Sequence, residues 1–102
     1  MSIKGQLTAS RDFLMAGMRA SARGATPNEH AAQLVRACLD LVEHLVRQSE
    51  SVTAGEVETT LGVLHHAAGE LEQDESASAV LAALRNAIGR MQSLRTEITP
   101  TK

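Results

Sequence analysis

Thr26-Pro27-Asn28-Glu29 opens the stretch that decides the fold, and Ala31, Leu34, Val35, Cys38, Leu39, Leu41, Val42, Leu45 and Val46 carry it forward to Gln48. At about 100° per residue these apolar positions fall within an arc of roughly 160°, the signature of an amphipathic helix. Gln33, Arg36, Asp40, Glu43, His44 and Arg47 hold the opposite face. The start is explicit in the sequence. Thr26 is placed to accept from a first-turn amide, Pro27 takes the first helical position where a missing N–H costs nothing, and Glu29 can reach back in a capping box. The arc is wider than one neighbouring helix would cover.

Working outward, Ser49-Glu50-Ser51-Val52 breaks the pattern and Thr53-Ala54-Gly55-Glu56 repeats the capping logic, with Val52 and Val57 forming a hydrophobic staple. Val57, Leu61, Leu64, Ala68 and Leu71 then step along one narrow seam of a second helix. Gly62 and Gly69 share another side of it; they are either tolerated there or mark close approach of a neighbouring backbone. The phase fails across Glu72-Gln73-Asp74-Glu75-Ser76, so the chain turns, and Asp74 or Ser76 caps a third helix. That helix carries Ala77, Val80, Leu81, Leu84, Ala87, Ile88, Met91, Leu94 and Ile98 on one face and ends before Pro100. Pro27 and Pro100 are the only prolines, so no helix-breaking ring interrupts this interval.

These elements predict an all-α fold: an antiparallel three-helix bundle over residues 26–99. Residues 1–25 read as a basic segment, partly helical or mobile, in which Leu7, Phe13, Leu14 and Met18 outline an additional N-terminal helix with Gly24 as its stop. Composition agrees, because the chain has only 102 residues, enough for one domain, and its sole aromatic residue is Phe13. An apolar complement dominated by Ala and Leu favours close-packed helices over a sheet.

The same residues bound the function. Cys38 is the only cysteine, so neither an intrachain disulfide nor a cysteine-based zinc site is available, and a reducing, cytoplasmic setting is expected. No apolar run reaches the roughly 18 residues of a membrane span. A sequence pI near 6.0 argues against nucleic acid as partner. His65-His66 tempts a metal assignment, but consecutive helical residues point about 100° apart and cannot chelate together. Asp40 and His44 have the spacing to share an ion, and are equally an ordinary surface pair. No Glu-x-x-His motif exists for a di-iron site. Cys38 lies in the apolar arc of the first helix with no base beside it, where a thiol behaves as a small hydrophobe. No catalytic, metal or cofactor site is expected, and the chain does not read as an enzyme.

What remains is association. The wide arc of the first helix presents Leu39 and Val46 on one flank and Leu34 and Leu41 on the other, and one intramolecular core is not expected to cover both. These four residues are the candidate interface of a homodimer. Charge adds a second surface. Residues 1–27 sum to +3, residues 28–75 to −8 and residues 76–102 to +3. Glu56, Glu58, Glu70 and Glu72, expected to be exposed on the second helix, are the candidate contacts for a basic protein partner.

From Glu29 ahead of Ala31 and Leu34, through Val57-Glu58-Thr59-Thr60-Leu61-Gly62-Val63-Leu64-His65 to Ile88, the chain resembles the YmgB/AriR family of small helical bacterial connector and biofilm regulators in length, helix order and texture. Its third helix runs longer than the family pattern. The resemblance implies a homodimeric regulator that binds a signalling or transcription protein, and carries over no functional residue. The competing expectation is a chaperone or small subunit of a larger assembly such as a secretion system.

Overall fold

The computed structural model describes residues 2–21 and 28–98. Four helices occupy them: α1 (Ile3–Ser21), α2 (Glu29–Arg47), α3 (Ala54–Leu71) and α4 (Ser78–Ile98), the last entered through a 3₁₀ turn at Glu75–Ala77. The described residues contain no strand. The all-helical expectation therefore stands, but the helix count changes, because α1 is a full member of the bundle.

The neighbours can be read from individual contacts. Ser10 Oγ of α1 lies 3.5 Å from the Ala87 carbonyl of α4. Seven residues further along α1, Gly17 packs against Val80 and Ala83 of α4 and Val35 of α2. As α1 ascends, α4 descends, so the two are antiparallel. Glu58 of α3 accepts from Arg95 of α4 at 3.0 Å, and Leu45 of α2 faces Thr60 of α3 across a shared groove. Each helix thus packs on the next in the chain and α4 returns to α1, an up-down-up-down four-helix arrangement.

The core is aliphatic throughout. Leu7, Leu14, Val35, Val42, Val57, Leu64, Leu71, Leu84, Met91 and Leu94 are fully buried. Each such side chain contributes about 1.5–3 kcal/mol relative to exposure. The inward face of α1 mixes Leu7 and Leu14 with buried Gln6, Ser10 and Ser21, which is why its apolar periodicity is weak in sequence. Ser10 is satisfied internally by donating to the Gln6 carbonyl at 3.0 Å.

The N-terminal helix lies along one flank of the arc on which the expected dimer rests. Gly17 touches Val35, so α1 lies along the flank of α2 that the helical repeat assigns to Leu39 and Val46. Leu39 is only 8% exposed, and Val46 packs half-buried against the core. The other flank, with Leu34 and Leu41, turns towards α3. The chain thus places a helix beside each flank, closing off Leu39 and leaving Leu34, Leu41 and Val46 half-buried.

Helix starts are built by side chains, in one case displaced from the expected place. Thr53 caps α3 as anticipated: the Glu56 amide donates to Thr53 Oγ1 at 3.2 Å and the Thr53 amide donates to Glu56 Oε1 at 2.9 Å. Val52 packs half-buried on the core, of which buried Val57 is a member. For α2, however, the cap is Asn28, whose Oδ1 accepts from the Ala31 amide at 2.9 Å. Thr26 and Pro27, the expected cap and first helical residue, lie outside the described residues. Glu29 consequently stands at the first helical position, where its charge meets the positive end of the helix dipole.

Candidate functional site

Of the four adjacent helix pairs, α2 and α3 are the most loosely joined. The reason lies in what their facing residues are. Near the 48–53 hairpin, α2 offers Leu41, His44 and Leu45, while α3 answers with Thr59 and Thr60 and, in its first turn, with Gly55 and Glu56. Short side chains on α3 cannot fill the space opposite two leucines. A groove of about 450 Å³ results, with a predominantly apolar lining and a polar rim. A volume of that order suits one or two bulky apolar groups.

Leu41 is the telling residue. It is half-buried, yet unlike Leu34, Val46 and Val63 it does not pack against the main core; it lines the groove. Leu45 beneath it is buried and forms part of that core. The floor of the groove is therefore continuous with the hydrophobic interior, and Leu41 is an apolar side chain without a full set of apolar neighbours. On the rim, His44 and Thr59 are exposed and Glu56 is half-buried.

The four glutamates expected to form one acidic contact surface do not. Glu56 and Glu70 are fourteen residues apart, which returns to nearly the same side of a helix, and Glu56 lines the α2-facing groove. Glu58 and Glu72 share the opposite flank, where Glu58 bonds Arg95 of α4. Glu58, Glu70 and Glu72 are exposed as expected. Glu56 is instead half-buried and committed to the Thr53 capping box. Glu70 lies 3.9 Å from His66. Of the four, only Glu56 lines the groove.

The fold does gather charge at a larger scale. On α1 and α4, Lys4, Arg11, Arg19, Arg85, Arg90 and Arg95 against Asp12 and Glu97 leave +4, whereas residues 28–75 carry −8. Because α1 packs on α4 and α2 on α3, the bundle has a basic half and an acidic half, and the groove opens within the acidic one.

Other features are structural. Cys38 is fully buried, and that burial pushes its thiol up to about 11, partly offset by a backbone hydrogen bond, so the thiolate is scarce at neutral pH. Among the described residues no group of three or more His, Cys, Asp or Glu is placed to hold a metal ion, and no helix is long and apolar enough to cross a membrane. Gly62 and Gly69 face open space. Of their two readings, tolerance is therefore correct and close backbone approach is not. A second cavity of about 610 Å³ lies at the same end of the bundle, formed by the polar 48–51 hairpin with Lys4, Val46 and Arg47.

Comparison with protein-family models, curated proteins and solved structures gives no match.

Proposed function

We propose that the protein is a small, non-enzymatic interaction module that regulates or assembles with a protein partner through its α2/α3 half. The supporting observation is that an apolar groove the chain does not fill opens within the half of the bundle that carries the excess of negative charge. A buried apolar anchor surrounded by a charged rim is the anatomy of a protein-binding surface, with the apolar contact supplying affinity and the charge supplying orientation and association rate. The regulator implied by the YmgB/AriR resemblance belongs to the same class.

Homodimerisation through α2 is not needed by this reading. Leu34, Leu41 and Val46 are the half-buried members of that expected interface, while Leu39 is closed off. The reading is tested by affinity capture of the tagged chain from its native host, with light scattering of the purified chain. A saturable complex with a specific protein is expected. Recovery of the chain alone under gentle crosslinking would refute it.

A further inference from the structure

Resting on that reading, we infer that the α2/α3 groove takes an amphipathic helix of a partner protein, one bulky aliphatic or aromatic side chain entering between Leu41, Leu45 and Thr60 while Lys or Arg side chains beside it meet the acidic rim. Three observations fix this occupant. The groove runs between two antiparallel helices, the geometry that receives a third helix through residues spaced three and four apart. Its floor is apolar and opens directly onto the core at Leu45, so the anchor must be apolar too. It opens in the half of the bundle that carries −8 over residues 28–75, and Glu56 is the acidic residue on its wall.

Charge decides between the apolar occupants. An acidic amphipathic helix would present the same hydrophobic stripe but would bring like charges to Glu56 and to the net −8 of the half in which the groove opens. A second copy of this chain is disfavoured by the burial of its own apolar residues: among the described residues the one large apolar side chain classed as exposed is Met15, at 38%. It therefore has little to insert into the groove of another copy.

The test uses the full-length chain and two short helical model peptides, one with a leucine stripe among lysines and one with the same stripe among glutamates. Binding is followed by fluorescence anisotropy and mapped by amide chemical shifts. The lysine peptide is expected to bind one to one, with shifts concentrated on residues 41–45 and 55–60. Binding should weaken sharply in about 1 M salt, where the Debye length is about 3 Å. The glutamate peptide is expected to bind at least about tenfold more weakly. Two variants interrogate the groove itself. Leu41→Ala removes the exposed part of the floor and Thr59→Trp fills the space from an exposed position; each should raise the Kd of the lysine peptide about tenfold or more. Circular dichroism verifies the fold of both, and Thr59→Trp decides if Leu41→Ala proves unstable.

The inference is overturned if neither peptide binds, if both bind alike, or if the lysine peptide binds with shifts confined to α1 and α4 and is indifferent to Thr59→Trp. It is also overturned if the wild-type chain self-associates and Thr59→Trp abolishes that association, because the occupant would then be a second copy. The broader interaction reading fails differently, through the absence of any captured partner. A captured partner retained equally by Thr59→Trp would leave that reading intact and remove only the groove assignment.

Discussion

Gly17, Gly62 and Gly69 show how differently the same residue behaves according to what stands opposite it. A Cβ built on Gly17 would lie 2.9 Å from the Ala83 Cβ and 3.4 Å from Val35 Cγ2. The Ala83 Cβ is fixed to the α4 backbone and cannot swing aside, so a larger residue at 17 must push α1 away from α4. Gly62 and Gly69 meet nothing within 4 Å. Replacement by alanine is therefore expected to act in opposite directions. Gly62→Ala and Gly69→Ala should each stabilise the chain by up to about 1 kcal/mol through helix propensity. Gly17→Ala should destabilise it, overpacking of roughly 1–3 kcal/mol outweighing that gain. Chemical denaturation of the three variants measures both signs, and stabilisation by Gly17→Ala would show that α1 is not held closely to α4. The sequence could not supply this distinction, since all three glycines sit inside helical patterns and the atom that matters, the Ala83 Cβ, is 66 residues away from Gly17 in the chain. Leu41 was legible as apolar and as lying at the edge of its arc. That it lines a groove depended on the short Gly55, Thr59 and Thr60 opposite, a pairing set by tertiary register.

At the scale of elements, local chemistry was readable wherever a helix boundary is closed by its own neighbours. The Thr53 and Glu56 exchange follows directly from residue spacing. The start of α2 did not, because its cap is also a tertiary clamp. Asn28 Nδ2 donates to Asp74 Oδ2 at 2.9 Å and to Ser76 Oγ at 2.8 Å, while Asp74 Oδ1 accepts from the Ser76 amide at 3.0 Å and from Ser76 Oγ at 2.6 Å. One asparagine thus caps α2 and ties it to the turn between α3 and α4, and no window around residue 28 contains those partners. Asn28→Ala should cost about 1–2 kcal/mol, the usual loss for an amide deprived of its cap together with the broken clamp. The clamp also has a pH signature. The hydrogen bonds from Ser76, and after them those from Asn28, hold the Asp74 carboxyl below its ordinary value. A depressed folded-state pKa means that its stabilisation is complete above the ordinary Asp range, near about 3.9, and is lost as pH falls through the folded-state value. Melting temperature followed from neutral to acid pH should therefore fall less steeply for Asp74→Asn than for the parent chain, and parallel acid limbs would contradict the clamp. The N-terminal helix was outlined by Leu7, Phe13, Leu14 and Met18, but only Leu7 and Leu14 of these are fully buried, the other buried positions being glycine, serine and glutamine. Ser10 and Gly17 lie close against α4, which a search for apolar periodicity does not register.

For the whole molecule, the segmental charge read along the chain became a spatial polarity only through topology. Residues 28–75 are acidic in any fold; that they form one half of the particle follows from α2 packing on α3 and α1 on α4. The glutamates make it possible to separate two consequences of that polarity. Glu56→Gln with Glu70→Gln removes the same charge as Glu58→Gln with Glu72→Gln, and glutamine at position 56 still serves the capping box. Association rate responds to the summed field over about a Debye length, 8–10 Å at moderate salt. Both double variants should thus slow association of the lysine-rich helical peptide and reduce its salt dependence, the pair that includes Glu56 more, because Glu56 lies on the groove wall. Dissociation responds to contacts made in the bound state. Only the pair on the α2-facing side should accelerate it, because Glu56 borders the groove while Glu58 is turned to Arg95 across the α3/α4 seam, in an exposed ion pair whose loss costs at most about 1 kcal/mol. Stopped-flow mixing gives the two rates independently. Equal acceleration of dissociation by both pairs would mean that the acidic half acts as a diffuse field with no oriented contact, and the bound helix would then have to be placed away from the α2/α3 groove.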